Sequence, residues 1–127
     1  MAESFETIKA WKDSRKLVKE VLTISRKGPL SRNFALRNQI DRAALSIMAN
    51  IAEGFERDGN RELVQFLSIA KGSAGELRSH LIAAYDLGVI ERDEFNHLCQ
   101  NSRSISRQLS GFITYLKSSS YKGRKFD

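Results

Sequence analysis

Between Asn60 and Leu87 the residues Leu63, Leu67, Ala70, Ala74, Leu77, Leu81 and Ala84 recur at steps of 4, 3, 4, 3, 4 and 3. An α-helix turns once in about 3.6 residues, so this spacing lays all of them along one stripe that must be buried against other helices. Phe66 and Tyr85 stand beside it. At roughly 1.5 Å per residue this helix is about 42 Å long. The rest of the chain must supply helical partners, and with a single proline in 127 residues it is free to do so.

The other stretches have the same character. Ile8, Trp11, Arg15, Val18, Leu22 and Ser25 alternate three- and four-residue steps, widened by Leu17, Val21 and Ile24. This predicts a first helix over about 7–27, capped by Thr7 and stopped by Gly28-Pro29. Ile40, Ala43, Ala44, Ile47, Ile51 and Phe55 stripe a second helix over about 33–56, with Ser31 as its cap. Asn60 is the expected cap of the third helix, 60–87, which Gly88 ends. Phe95, Leu98, Ser102, Ile105, Leu109, Phe112 and Leu116 carry a fourth over 91–118, with Glu91, Asp93 and Glu94 favouring its start. Residues 119–127 have no periodicity and read as a flexible basic tail. Four amphipathic helices with short connections predict an all-α fold, an antiparallel up-down-up-down four-helix bundle, as one domain.

Cysteine usage and hydropathy narrow the setting. Cys99 is alone and cannot form an internal disulfide. No apolar run approaches the roughly 20 residues that span a bilayer, and the first residues carry no apolar signal region, so a cytoplasmic protein without membrane contact is expected.

The net charge of +6 is unevenly spread. Residues 26–42 carry a balance of +4, residues 95–127 a balance of +5, and residues 43–94 a balance of −4. Two concentrations of positive charge fit a phosphate-binding footprint, and equally a solvated bundle surface with a basic tail. On the first reading the candidate contacts are Arg32, Arg37, Arg42, Arg103 and Arg107 on the helices, with Lys122, Arg124 and Lys125 as an arm.

Catalytic chemistry finds little support. A dinuclear metal site in a bundle needs repeated Glu-x-x-His pairs; Glu94 and His97 form one, while His80 stands one residue too far from Glu76. The better reading is a helix-start carboxylate and a surface histidine. Cys99, beside Leu98, reads as a buried inert thiol. No phosphate-cradling loop or nucleophile with a companion base is present, so the chain is read as non-enzymatic, with no cofactor and no metal.

Two groups are unusual for a minimal bundle. On the second helix Gln39, Arg42, Ser46, Asn50 and Glu53 form a polar stripe that can bond within itself or across to Lys71, Ser73, Glu76 and Arg78 of the third. A structural network fixing register or sealing a subunit contact is favoured over ligand binding. On the third helix Gly72 and Gly75 each cost about 1 kcal/mol relative to alanine. In Lys71-Gly72-Ser73-Ala74-Gly75-Glu76 the small residues would admit a second helix, either Ala43-Ala44 or another subunit, and a ligand is the weaker alternative.

These residues also carry a family resemblance. Gln39-Ile40, Arg42-Ala43-Ala44, Ser46-Ile47 and Asn50-Ile51-Ala52-Glu53-Gly54, followed by Phe66 to Ser73 and Glu76-Leu77, resemble the hallmark blocks of the four-helix bundle proteins encoded in intervening sequences of bacterial 23S ribosomal RNA genes. Trp11 and Leu87-Gly88-Val89-Ile90 match as well, so the likeness covers roughly residues 5–118. Gly75 departs from the bulkier residue expected there. The resemblance implies an antiparallel bundle. Through a further likeness to the accessory proteins of diversity-generating retroelements, which form pentameric barrels and bind nucleic acid and a reverse transcriptase, it implies a homopentameric ring contacting RNA or DNA. Fold transfers along such a likeness more safely than function.

The leading functional expectation is a ring-forming bundle that binds structured nucleic acid, RNA before DNA. Its competitor is an oligomeric scaffold or adaptor that binds a protein partner through an apolar or mixed patch near Trp11 or Phe5.

Overall fold

The computed structural model describes residues 4–123, with side chains from Ser4 to Ser118. It is all-α: helices α1 (Lys9–Ser25), α2 (Phe34–Glu56), α3 (Asn60–Asp86) and α4 (Arg92–Gly123), with no β-strand among the described residues. Short 3-10 turns, Phe5–Thr7 and Pro29–Arg32, precede α1 and α2.

The ends differ from expectation in instructive ways. Ser4, not Thr7, starts the first helical segment by accepting from the Glu6 N–H at 3.1 Å, and Thr7 Oγ1 is spent on the Ser4 carbonyl. At the start of α2 the expected cap, Ser31, instead donates to the Gly28 carbonyl at 2.6 Å inside the 3-10 turn, leaving Asn33 to accept from the Leu36 N–H. Asn60 is already helical, and Gly59 stands at the cap of α3 with φ 95°, a backbone region open to glycine and strained for other residues. The fourth helix passes Ser118, the end foreseen for it, and reaches Gly123, because no glycine or proline intervenes.

All seam residues of α3 are buried, at 0 to 5% exposure. Around them pack Leu17 and Val21 of α1, Ile40, Ile47 and Ile51 of α2, and Leu98, Ile105, Leu109 and Leu116 of α4. On α1 the buried line is Ala10, Ser14, Leu17, Val21 and Ser25, one residue from the line through Trp11, Val18 and Leu22, while Arg15 is exposed. Small Ala10 and Ser14 let the α1 backbone close on the core. Trp11 and Val18 then cover its edge.

Contacts run in opposing order between α2 and α3, between α3 and α4, and between α1 and α4. Ser46 meets Ser73 while Gly54 faces Leu63 and Phe66. Arg78 meets Ser102 and Ser106, whereas Tyr85 stacks on Phe95 at 4.6 Å. Asp13 accepts from Gln108 at 2.8 Å, and Glu20 bonds to His97 and Asn101. Ser25 donates to Asp41 at 2.7 Å and ties α1 to α2. The α2–α3 contact is the most extensive.

Of the small residues of α3, Ser73 meets α2 but the two glycines do not. Gly72 is exposed with nothing within 4 Å of where a Cβ would stand, and the nearest atom at Gly75 is Arg78 Nη2 at 3.7 Å. The glycine at the helix crossing is Gly54 of α2, whose Cβ would lie 2.9 Å from Phe66 Cβ. Gly72→Ala is therefore expected to stabilise the fold, by up to about 1 kcal/mol, because it restores helix propensity without a clash. Urea denaturation checks the sign.

Candidate nucleic-acid interface

The polar stripe of α2 divides into separate contacts. Ser46 Oγ and Ser73 Oγ lie 2.8 Å apart, and Asn50 Nδ2 donates to both Ser46 O at 2.8 Å and Ser46 Oγ at 2.9 Å. This trio, half-buried to buried, is the part of the expected network that forms. Glu53 turns along its own helix to accept from Arg57 Nε at 2.8 Å, and Glu76 has His80 Nε2 of its own helix 3.7 Å away. Arg42 and Lys71 are exposed. Arg78 reaches the opposite neighbour, donating through Nη1 to Ser102 Oγ at 3.1 Å and Ser106 Oγ at 3.0 Å of α4.

The candidate phosphate contacts are not gathered into one patch. Arg32 is exposed at the end of the 3-10 turn, and Arg42 is exposed on α2. Arg37 is half-buried, donating to the Ser31 carbonyl at 3.1 Å with its guanidinium 5.0 Å above the Phe34 ring, so it serves the α1–α2 connection. Arg103 and Arg107, four residues apart on α4, are exposed on one face. Arg124 and Lys125 lie outside the described residues, as does the side chain of Lys122.

A denser cationic surface lies on α1. Lys12, Arg15, Lys16 and Lys19, at spacings of three and four, are all exposed and line one shallow depression. Their acidic neighbours on α1 bond to other groups, although both line a second depression together with Lys16. Asp13 is held by Gln108 and by Lys9 at 2.7 Å, and Glu20 by His97 and Asn101 of α4. Burial raises the pKa of Asp13, but hydrogen bonds from Lys9 and Gln108 together with the charges of Lys9 and Lys16 outweigh it, and the carboxyl sits below the usual 3.8. Regional charge hid this face: five basic and four acidic residues nearly cancel over residues 1–25. Sorting them by helical position separates the signs.

Glu94 pairs with Lys27 at 2.9 Å while His97 faces Glu20, and no group of three His, Cys, Asp or Glu side chains among the described residues could hold a metal ion. Cys99 is 1% exposed, and burial pushes its thiol pKa up, although Arg103 and Arg78 pull it down. A buried thiol so placed is a poor nucleophile. Phe5 and Trp11 pack edge to face at 5.1 Å and are half-buried; the exposed large apolar side chains are instead Phe34, Leu45, Ile69, Ile82, Leu87 and Tyr115.

The family model described as 23S rRNA-intervening sequence protein matches residues 6–111. A crystal structure of a protein of unknown function from the S23 ribosomal protein family of Bacteroides thetaiotaomicron is similar with a TM-score of 0.78 and 22% identity. The match covers 83% of this chain and 95% of that one. No curated protein matches the chain.

Proposed function

The chain belongs to the 23S rRNA-intervening sequence protein family, and we propose that it is a non-enzymatic, oligomeric four-helix bundle of the cytoplasm that binds structured RNA through the outer face of α1. The observation that carries this reading is the exposed line Lys12, Arg15, Lys16 and Lys19, whose acidic neighbours on the same helix, Asp13 and Glu20, are bonded to α4. Such a line offers phosphate oxygens several cations along one helix, which is how sequence-independent nucleic-acid binding is built. RNA is proposed before DNA as the nucleic acid bound. Contacts that ascend on one helix while descending on its neighbour support an up-down-up-down arrangement.

A homopentameric ring is the assembly proposed, on the resemblance set out above. Exposed Leu45, Ile69 and Ile82, each 44 to 47% accessible, supply apolar surface for subunit contacts. Closed symmetry would repeat the α1 face around an axis and multiply a weak electrostatic site. The same apolar surface favours the second reading, a scaffold that binds a protein partner and no nucleic acid.

Binding to a structured RNA, measured between low and high salt, separates the two. The first reading expects affinity to fall steeply with salt, because each phosphate contact releases counterions. Absent or salt-insensitive RNA binding supports the scaffold. Light scattering after size exclusion tests the ring, and a monomeric mass removes it.

A further inference from the structure

Arg78 has an environment that the α1 face does not explain. It is half-buried between α3 and α4, and Nη1 is held by two serine hydroxyls, Ser102 Oγ and Ser106 Oγ. Ser102 is itself fixed, donating to the Ala74 carbonyl at 2.9 Å. Among the described residues no carboxylate comes within ion-pair distance of the guanidinium.

The unused part of Arg78 has a definite shape. The Nε and Nη2 N–H groups have no protein partner among the described residues, and neither nitrogen is sealed from solvent. These two nitrogens form one edge of the guanidinium, a planar fork matched to two oxygens of a phosphate. Pinning Nη1 from the other side sets the direction of that edge before any ligand arrives. Gly75, one turn earlier on α3, keeps it open: a Cβ there would stand 3.7 Å from Nη2, and a longer side chain would cover the fork. This gives a reason for a helix-interior glycine that no helix crossing requires. Arg103 adds a second cation on α4, next in the chain to Ser102, whose hydroxyl holds Arg78. Arg103 is exposed.

We propose that the α3–α4 groove is a phosphate seat, in which the Nε–Nη2 edge of Arg78 grips a phosphoryl group bidentately and Arg103 supplies the supporting charge. The phosphoryl can come from a polynucleotide backbone or from free phosphate. The seat goes beyond the reading of α1 and does not depend on it.

The test uses the full chain. Arginine Nε–Hε resonances are followed while inorganic phosphate is added at constant ionic strength against chloride, with the Arg78 signal identified by its loss in Arg78→Gln. Duplex RNA affinity is measured in parallel for wild type, Arg78→Gln and Gly75→Leu, which keeps both arginines and covers the fork. The expected result is a saturable shift at Arg78 larger than that at exposed Arg15, lost in Gly75→Leu. If RNA is the source, affinity falls about five- to tenfold in both variants and the salt slope drops by about one unit. A saturable Arg78 shift with RNA affinity unchanged assigns the seat to free phosphate. No saturable shift at Arg78 in the wild type overturns the seat whether or not RNA binds, whereas a wild type that binds no RNA but shows the shift overturns only the reading of α1.

Discussion

Gly54→Val is expected to lower the free energy of unfolding by about 3 kcal/mol, read as a lower urea midpoint at an unchanged slope. A Cβ at residue 54 would lie 2.9 Å from Phe66 Cβ, 3.1 Å from Leu63 Cδ1 and 3.4 Å from the Leu63 carbonyl oxygen. Phe66 Cβ is fixed to its backbone and cannot swing aside, so α2 and α3 must separate at their most extensive contact. Alanine at residue 54 restores about 1 kcal/mol of helix propensity, yet the clash outweighs it and a net loss of about 1 to 2 kcal/mol is expected. Valine adds two more carbons and a stiff side chain to the same gap. The contrast with Gly72→Ala makes the argument vulnerable: the same substitution has opposite expected signs on the two helices. A Gly54→Ala protein more stable than wild type would refute the close approach.

That contrast was within reach of the sequence. Gly54 stands three residues after Ile51, on the apolar line of α2, whereas Gly72 stands two residues after Ala70 and so leaves the line of α3. The two glycines inside the clearest helix, Gly72 and Gly75, lie at no helix crossing. The seam of α3 was legible because every residue on it is apolar and large or small in a sustained rhythm, and its burial followed. The inner line of α1 was shifted because Ala10 and Ser14 carry almost no hydrophobic signal beside Trp11.

The same positional logic accounts for the polar groups. Ser73, one residue before the seam position Ala74, faces α2 and meets Ser46. Arg78 and Tyr85, one residue after Leu77 and Ala84, face α4. Grouping Arg78 with the α2 stripe by proximity in sequence therefore assigned it to the wrong neighbour. Which rotamer a long side chain takes, and hence that Glu53 closes on Arg57 rather than crossing to α3, is set by local ion pairing that spacing alone does not decide.

Neutralising Lys12, Arg15, Lys16 and Lys19 together to glutamine is expected to weaken RNA binding on the order of 100- to 1,000-fold at low salt and to lower the salt slope by about 3 to 4 units. The slope is the sharper measure, because each lost phosphate contact removes about one released counterion while the folded protein is otherwise unchanged. Stability should shift by less than about 1 kcal/mol: the four side chains are exposed, and the one aromatic contact among them is the Arg15 guanidinium 5.9 Å from the Trp11 ring. Exchanging only Arg61 and Lys117 for glutamine removes charge of the same sign from exposed positions off α1, so it separates a located interface from a diffuse attraction to net charge. If binding depended on net charge alone, each lost cation would cost the same wherever it stood, and the four-fold variant would show twice the slope change of the pair. A located α1 interface demands more than that ratio. An unchanged slope in the four-fold variant, with RNA still bound, would move the interface off α1 altogether.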